Sequence, residues 1–181
     1  MFAYWGSDGH GLRLLTEADV DELFALTDAN RTYLKVWLPW LDETRSPADT
    51  RRFIHLTQQQ WADNTGLVAA ITDRDRIAGV IGYNQFDWQN RIGAIGYWLG
   101  TAYQGRGLMT AACQALVNYG FETLNLNRIV IACATQNARS RAIPERLGFH
   151  HEGTARDGEW LYDHFVDLEV YACLRRHWDR T

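Results

Sequence analysis

Two glycines with one residue between them, set between an apolar run and an amphipathic run, are where spacing first implies chemistry. The stretch is Tyr103-Gln104-Gly105-Arg106-Gly107-Leu108-Met109-Thr110, with Ile92 to Leu99 leading in and Leu108 to Leu124 leading out. Strand, glycine loop and helix start then follow in order. A helix begins with backbone N–H groups that no earlier turn can satisfy, and its dipole places positive charge at the same end. Such a site attracts an anion, most naturally a phosphate. Gly105 and Gly107 would let the backbone close around that group without Cβ interference. Arg106 and Thr110 would add a charge and a hydroxyl. The same residues also describe an ordinary strand-to-helix corner that binds nothing, and from these residues alone both readings stand.

Other chemistry-bearing residue types narrow the field by what their spacing excludes. The six histidines (His10, His55, His150, His151, His164, His177) lack metal-ligand spacing with carboxylates, so no metal site is expected. Cys113, Cys133 and Cys173 are odd in number and widely spaced, and read as reduced core residues. Eight tryptophans (Trp5, Trp37, Trp40, Trp61, Trp88, Trp98, Trp160, Trp178) exceed what one core takes. Some are expected in a cleft or at a subunit interface, which makes a homodimer a reasonable partner.

The elements that must position these residues follow from periodicity. His10 to Leu15 reads as a strand, and Thr16 caps a helix over Glu17 to Ala29. Asn30 to Trp40 is dense in large apolar groups and bends at Pro39. Trp37, Leu38, Trp40 and Leu41 around that bend would form either a wall of a substrate cleft or a hydrophobic cluster under a loop. Ser46-Pro47 opens a helix running to about Asp63. Leu67 to Thr72, Arg76 to Phe86 and Ile92 to Leu99 form an antiparallel meander. The last is apolar on both alternating faces, hence central in its sheet. Leu108 to Leu124 carries a wide apolar stripe, and Arg128 to Ala134 lies parallel to the Ile92 strand because a helix joins them. Asn137 to Leu147 is a short helix stopped by Gly148. Phe149 to Ala155 is a strand, Asp157-Gly158 a turn, and Phe165 to Leu174 the final strand.

At 181 residues, with a net charge of −4, the chain is expected to be one domain, 1–181, with no electrostatic case for nucleic acid. No apolar run approaches the ~20 residues of a membrane helix. Met1 to Gly11 shows no signal pattern, so a cytoplasmic protein without a membrane partner is expected.

The element order, with Gln104-Gly105-Arg106-Gly107-Leu108-Met109 after the fourth strand, resembles the GCN5-related N-acetyltransferase (GNAT) superfamily. Its pyrophosphate loop reads Gln/Arg-x-x-Gly-x-Gly/Ala, and this chain departs only at Met109. Asn137-Ala138-Arg139-Ser140, Leu147-Gly148-Phe149, Glu152-Gly153 and Tyr97-Trp98-Leu99 are similar to the branch acetylating N-termini of ribosomal proteins. Within that branch the likeness is nearest to the ribosomal-protein-serine acetyltransferases. The resemblance implies an α/β fold with a mixed seven-stranded sheet and about four helices, and acetyl-CoA as cofactor. The acceptor would be a protein N-terminus. A small amine such as a polyamine or aminoglycoside is the same-chemistry alternative, and a catalytically silent acyl-CoA sensor the non-enzymatic one.

Roles implied by the resemblance fall on few residues. Glu159, in Gly158-Glu159-Trp160-Leu161, matches the general base, and a solvated loop carboxylate is its bland alternative. The tyrosine acid of many family members is replaced by Pro144. Ser140 matches the acid of the ribosomal branch, or simply caps its helix. Asn137 would bond the pantetheine arm, or cap the helix if Ser140 does not. A backbone N–H beside Trp98 or Leu99 would stabilise the oxyanion where the central strand splays from its neighbour. Cys133 would face the thiol end of the cofactor without acting as nucleophile. Trp37, Trp40 and Trp160 would edge an apolar trough for a peptide, whereas a carboxylate-lined cleft would suit a polycation.

Overall fold

A computed structural model describes residues 3–6 and 9–178, with only the backbone of Trp5. The side chain of Trp5, named above among the surplus aromatics, lies outside the described residues. Among the described residues eight strands form one sheet: β1 (Ala3–Trp5), β2 (His10–Leu14), β3 (Leu67–Asp73), β4 (Arg76–Asp87), β5 (Ile92–Leu99), β6 (Arg128–Ala134), β7 (His150–Leu161) and β8 (His164–Leu174). Their spatial order is β1-β2-β3-β4-β5-β6-β8-β7, with β5 and β6 parallel and all other neighbours antiparallel. The expected count of seven is corrected to eight. The added strand is β1, three residues at the edge whose pairing to β2 no periodicity announces. Among the described residues there are five α-helices where about four were expected: α1 (Val20–Ala29), α2 (Arg31–Lys35), α3 (Pro47–Ala62), α4 (Leu108–Glu122) and α5 (Ala138–Arg146). The extra one, α2, is a single turn and a half before the Pro39 bend.

Both faces of the sheet are covered, which is why β3 reads as an unbroken buried run. Val68 and Ala70 turn toward Val20 and Leu23 of α1 and Ile54 of α3. Leu67, Ala69 and Ile71 turn the other way, into a larger cluster with Leu116, Val117 and Phe121 of α4. No helix among the described residues is long and apolar enough to cross a membrane.

Tyr83 of β4 anchors α4 to the sheet. Its fully buried hydroxyl donates to the Leu116 carbonyl at 3.0 Å. A Cβ at Gly120 would stand 2.0 Å from that oxygen. Ala for Gly in a helix ordinarily stabilises by about 1 kcal/mol. Here the sign reverses: Gly120→Ala is expected to destabilise by roughly 1–3 kcal/mol through overpacking, read as a lower urea midpoint at unchanged slope.

One correction concerns the last hairpin. Asp157-Gly158 is not its turn. The chain turns at Tyr162-Asp163, and Asp157-Gly158 form a bulge inside β7, where the register jumps from Ala155↔Leu168 to Glu159↔Val166. Asp157 adopts φ 48° and its N–H bonds the Asp167 carboxylate at 2.8 Å, so local polar chemistry mimics a turn.

Candidate active site

β5 and β6 pair only from Ile92↔Arg128 to Ile95↔Ile131, and beyond that they diverge. Ala132, in mid-strand, is exposed as a result. Opposite the divergence, β4 carries a bulge at Asn84, between the pairs Tyr83↔Ile95 and Gln85↔Ala94. The splay opens a cleft of about 1200 Å³ through the sheet, reaching from the glycine loop to β7. The Gly100 N–H bonds the Ala78 carbonyl at 2.9 Å. By the alternation of an antiparallel ladder, Trp98 then faces β4, whereas Tyr97 and Leu99 turn their N–H and C=O groups into the gap.

At one end of the cleft, Gly107 is the N-cap of α4 with φ 79°, and Gly105 has φ 74°. Neither has any atom within 4 Å of where a Cβ would stand, so the loop leaves open space above its backbone. That is the shape a phosphate needs at a helix N-terminus. Gln104, Gly105, Gly107, Leu108, Met109 and Thr110 line the cleft, and Arg106 does not. The Arg106 guanidinium turns outward to Asp73, 2.7 Å away at the β3–β4 turn. Two cations from α5 stand on the cleft side instead. Arg139 donates to Gln104 Oε1 at 2.6 Å, and Arg146 donates to Thr110 Oγ1 at 2.8 Å. Both line the cleft. Sequence reasoning gave neither a role, although their spacing of seven on one helix, two turns, was the signal that places both on one face.

At the start of α5, Asn137 is the cap: its side chain accepts the Ser140 N–H at 3.2 Å. Ser140 therefore is not the cap, and its hydroxyl interacts with the Cys133 thiol. Burial pushes that thiol up to about 11, which disfavours its thiolate at neutral pH. Among the described residues no group of His, Cys, Asp and Glu could hold a metal.

Glu159 enters the cleft from β7. Period-two alternation turns Glu159 and the buried Leu161 inward and Trp160 outward. Glu159 is half-buried, and burial raises its carboxyl above the usual 4.5. The hairpin carrying it is tied down by Tyr162. That hydroxyl donates to the Leu38 carbonyl at 2.6 Å and accepts the Leu41 N–H at 3.2 Å. The bend after α2 is thereby held against β7, and Tyr33, Leu34, Trp37 and Leu38 form the facing wall. Of the aromatics expected at this trough, Trp37 lines it together with Trp98. Trp40 stands behind, 6.3 Å from Trp98 ring to ring. Trp160 is 50% exposed on the outer surface, edge-on to Phe165 at 4.7 Å.

Comparison with known proteins agrees with this geometry. The family model described as acetyltransferase (GNAT) domain matches residues 11–150. YdaF of Bacillus subtilis (strain 168), named as a candidate ribosomal N-acetyltransferase, is 40% identical over 170 residues, which cover 93% of this chain and 92% of its own. The ribosomal-protein-serine acetyltransferase of Escherichia coli (strain K12) is 31% identical over 166 residues, covering 92% and 93%. A solved structure of RimL, a ribosomal L7/L12 α-N-protein acetyltransferase in complex with coenzyme A, superposes with a TM-score of 0.88 at 28% identity, covering 91% of this chain and 93% of that one. The chain belongs to the GNAT acetyltransferase family and is an acetyl-CoA-dependent N-acyltransferase.

Proposed function

We propose that the acceptor is the α-amine at a protein N-terminus, of the ribosomal-protein type named for its relatives. The observation carrying this reading is the lining of the acceptor end. Among the described residues Glu159 is the single carboxylate lining the cleft, and the wall it faces is Tyr33, Leu34, Trp37 and Leu38. A polyamine or aminoglycoside would bring several ammonium groups against that apolar wall with one counter-charge, at a desolvation cost nothing repays. A peptide brings one amine, with backbone and side chain to cover the wall.

Acetyl-CoA supplies the acyl group and its thiol leaving group. The chain does the rest. N–H groups at the start of α4, with Arg139 and Arg146, would hold the phosphates, and the free edge of β5 at Tyr97 and Leu99 would offer its N–H and C=O groups to the amides of the arm. Leu99 N–H is the oxyanion donor, being the strand-end donor turned into the gap. An α-amine has a pKa of ~8, so most of it arrives protonated at neutral pH. Glu159, ionised but raised by burial, accepts that proton. Ser140 Oγ, freed from capping by Asn137, supplies a proton at the thiol end.

Thiol release from acetyl-CoA, measured across short peptides led by Ser, Ala or Met and with spermidine and an aminoglycoside, tests this reading. Turnover is expected with Ser- or Ala-led peptides. Turnover with spermidine or the aminoglycoside alone would replace the peptide acceptor by a small amine.

A further inference from the structure

Pro144 sits at the seventh position of α5. In an α-helix the carbonyl of Ser140 would accept from the N–H four residues on, and Pro144 has none. That carbonyl is nevertheless satisfied, by a donor from another element. The Tyr97 hydroxyl, reaching across from β5, donates to the Ser140 carbonyl at 2.9 Å. Tyr97 lies two residues beyond Ile95, where β5 and β6 part, and it lines the cleft. The bond therefore spans the mouth of the splay, from the β5 rim to the helix that follows β6.

We propose that Tyr97 is a positioning residue for acetyl transfer, its hydroxyl replacing the helix bond that Pro144 removes and so fixing where the Ser140 hydroxyl stands in the cleft. The inference rests on Ser140 acting as the proton donor. The geometry makes the pair interdependent. With a proline at 144 the Ser140 carbonyl has no helix donor, and without the Tyr97 hydroxyl it would draw water or a shift of the turn. Burial also raises the Tyr97 phenol, which keeps it a donor throughout the working pH range.

The test is a cycle of variants scored for kcat and for KM of acetyl-CoA. Tyr97→Phe is expected to lower kcat about tenfold, the scale of one lost bond at a transition state, while KM stays within about twofold. Pro144→Ala restores an N–H to α5 and is expected to leave kcat within about twofold. The double variant Tyr97→Phe/Pro144→Ala is expected to regain most of the lost turnover, because the helix now supplies the bond. Absence of that rescue would overturn the proposal. Ser140→Ala reports separately on the proton donor: wild-type kcat there would remove that reading whatever the cycle shows. With Ser140→Ala impaired, adding Tyr97→Phe is expected to cost nothing more. A further multiplicative loss would show that Tyr97 acts by another route, and would also overturn the proposal.

Discussion

Glu159→Gln is expected to lower kcat by about 10²–10³-fold, the range for losing a general base, with acetyl-CoA binding unchanged. Binding is spared because the phosphate end of the cleft, at Gly105, Gly107, Arg139 and Arg146, is built from the glycine loop, α4 and α5, none of which the substitution touches. The pH profile carries the sharper signature. In the wild type kcat/KM rises with pH through Glu159, at a point above the ordinary 4.5 because burial raises it. The protonated amine is itself productive there, because Glu159 takes its proton in the complex. The Gln variant has no base, so it is expected to lose that step and to rise instead with deprotonation of the free amine, near ~8. A stability effect of opposite sign accompanies this. A carboxyl whose folded pKa is raised holds its proton more tightly folded than unfolded, so stability falls as pH climbs from the unfolded pKa through the folded one. At neutral pH the ionised Glu159 is therefore a small liability. The Gln variant is expected to melt no lower than wild type at pH 7, so a catalytic loss cannot be assigned to unfolding. Turnover within threefold of wild type would remove Glu159 as base.

The same residue shows where sequence reading ran out. Most of the helix and strand pattern and the parallel β5–β6 pair are visible in periodicity, because each buries a face that apolar spacing declares, and the glycine loop is visible in its residue types; β1 and the true turn of the last hairpin are not. In the sequence, only family likeness ties Glu159 to the site. From its neighbours it reads as a loop carboxylate, since Asp157-Gly158 has the composition of a hairpin turn. What moves it into a strand is the bulge opposite Asp167 and the docking of Tyr162 on Leu38 and Leu41, contacts spanning 10 and more than 120 residues respectively. Ser140 and Asn137 show the limit at short range. Both are good capping types within one turn, and only the observed bond from the Ser140 N–H to the Asn137 side chain separates them. Pro144 was legible as a missing tyrosine, whereas the donor that compensates for it comes from 43 residues away. Arg106 separates backbone from side chain. Its place between the two loop glycines suggests a phosphate ligand, a role its backbone N–H can still serve, whereas its guanidinium meets Asp73.

That exchange of cations sets the second large effect. Removing both Arg139 and Arg146, as the double alanine variant, is expected to weaken coenzyme A binding by about 10²–10³-fold. Charge-assisted bonds to phosphate are worth roughly 1.5–3 kcal/mol each, and the two sites share one ligand, so the losses are less than additive. Both guanidiniums are already oriented by their partners, Gln104 Oε1 and Thr110 Oγ1, so little side-chain entropy remains to be lost on binding. Affinity in the wild type is expected to fall with rising salt, and the double variant to lose most of that dependence. Two controls make the assignment specific. Acetyl-pantetheine, which lacks the phosphates assigned to the arginines, is expected to bind both proteins alike. Arg106→Ala is expected to keep coenzyme A affinity within about threefold, because its guanidinium is committed to the β3–β4 turn and its backbone N–H survives the substitution. Calorimetric titration of the variants reads both controls directly. A hundredfold loss in Arg106→Ala, with Arg139→Ala/Arg146→Ala unaffected, would return the phosphate contact to the loop and require Arg106 to leave Asp73 on binding.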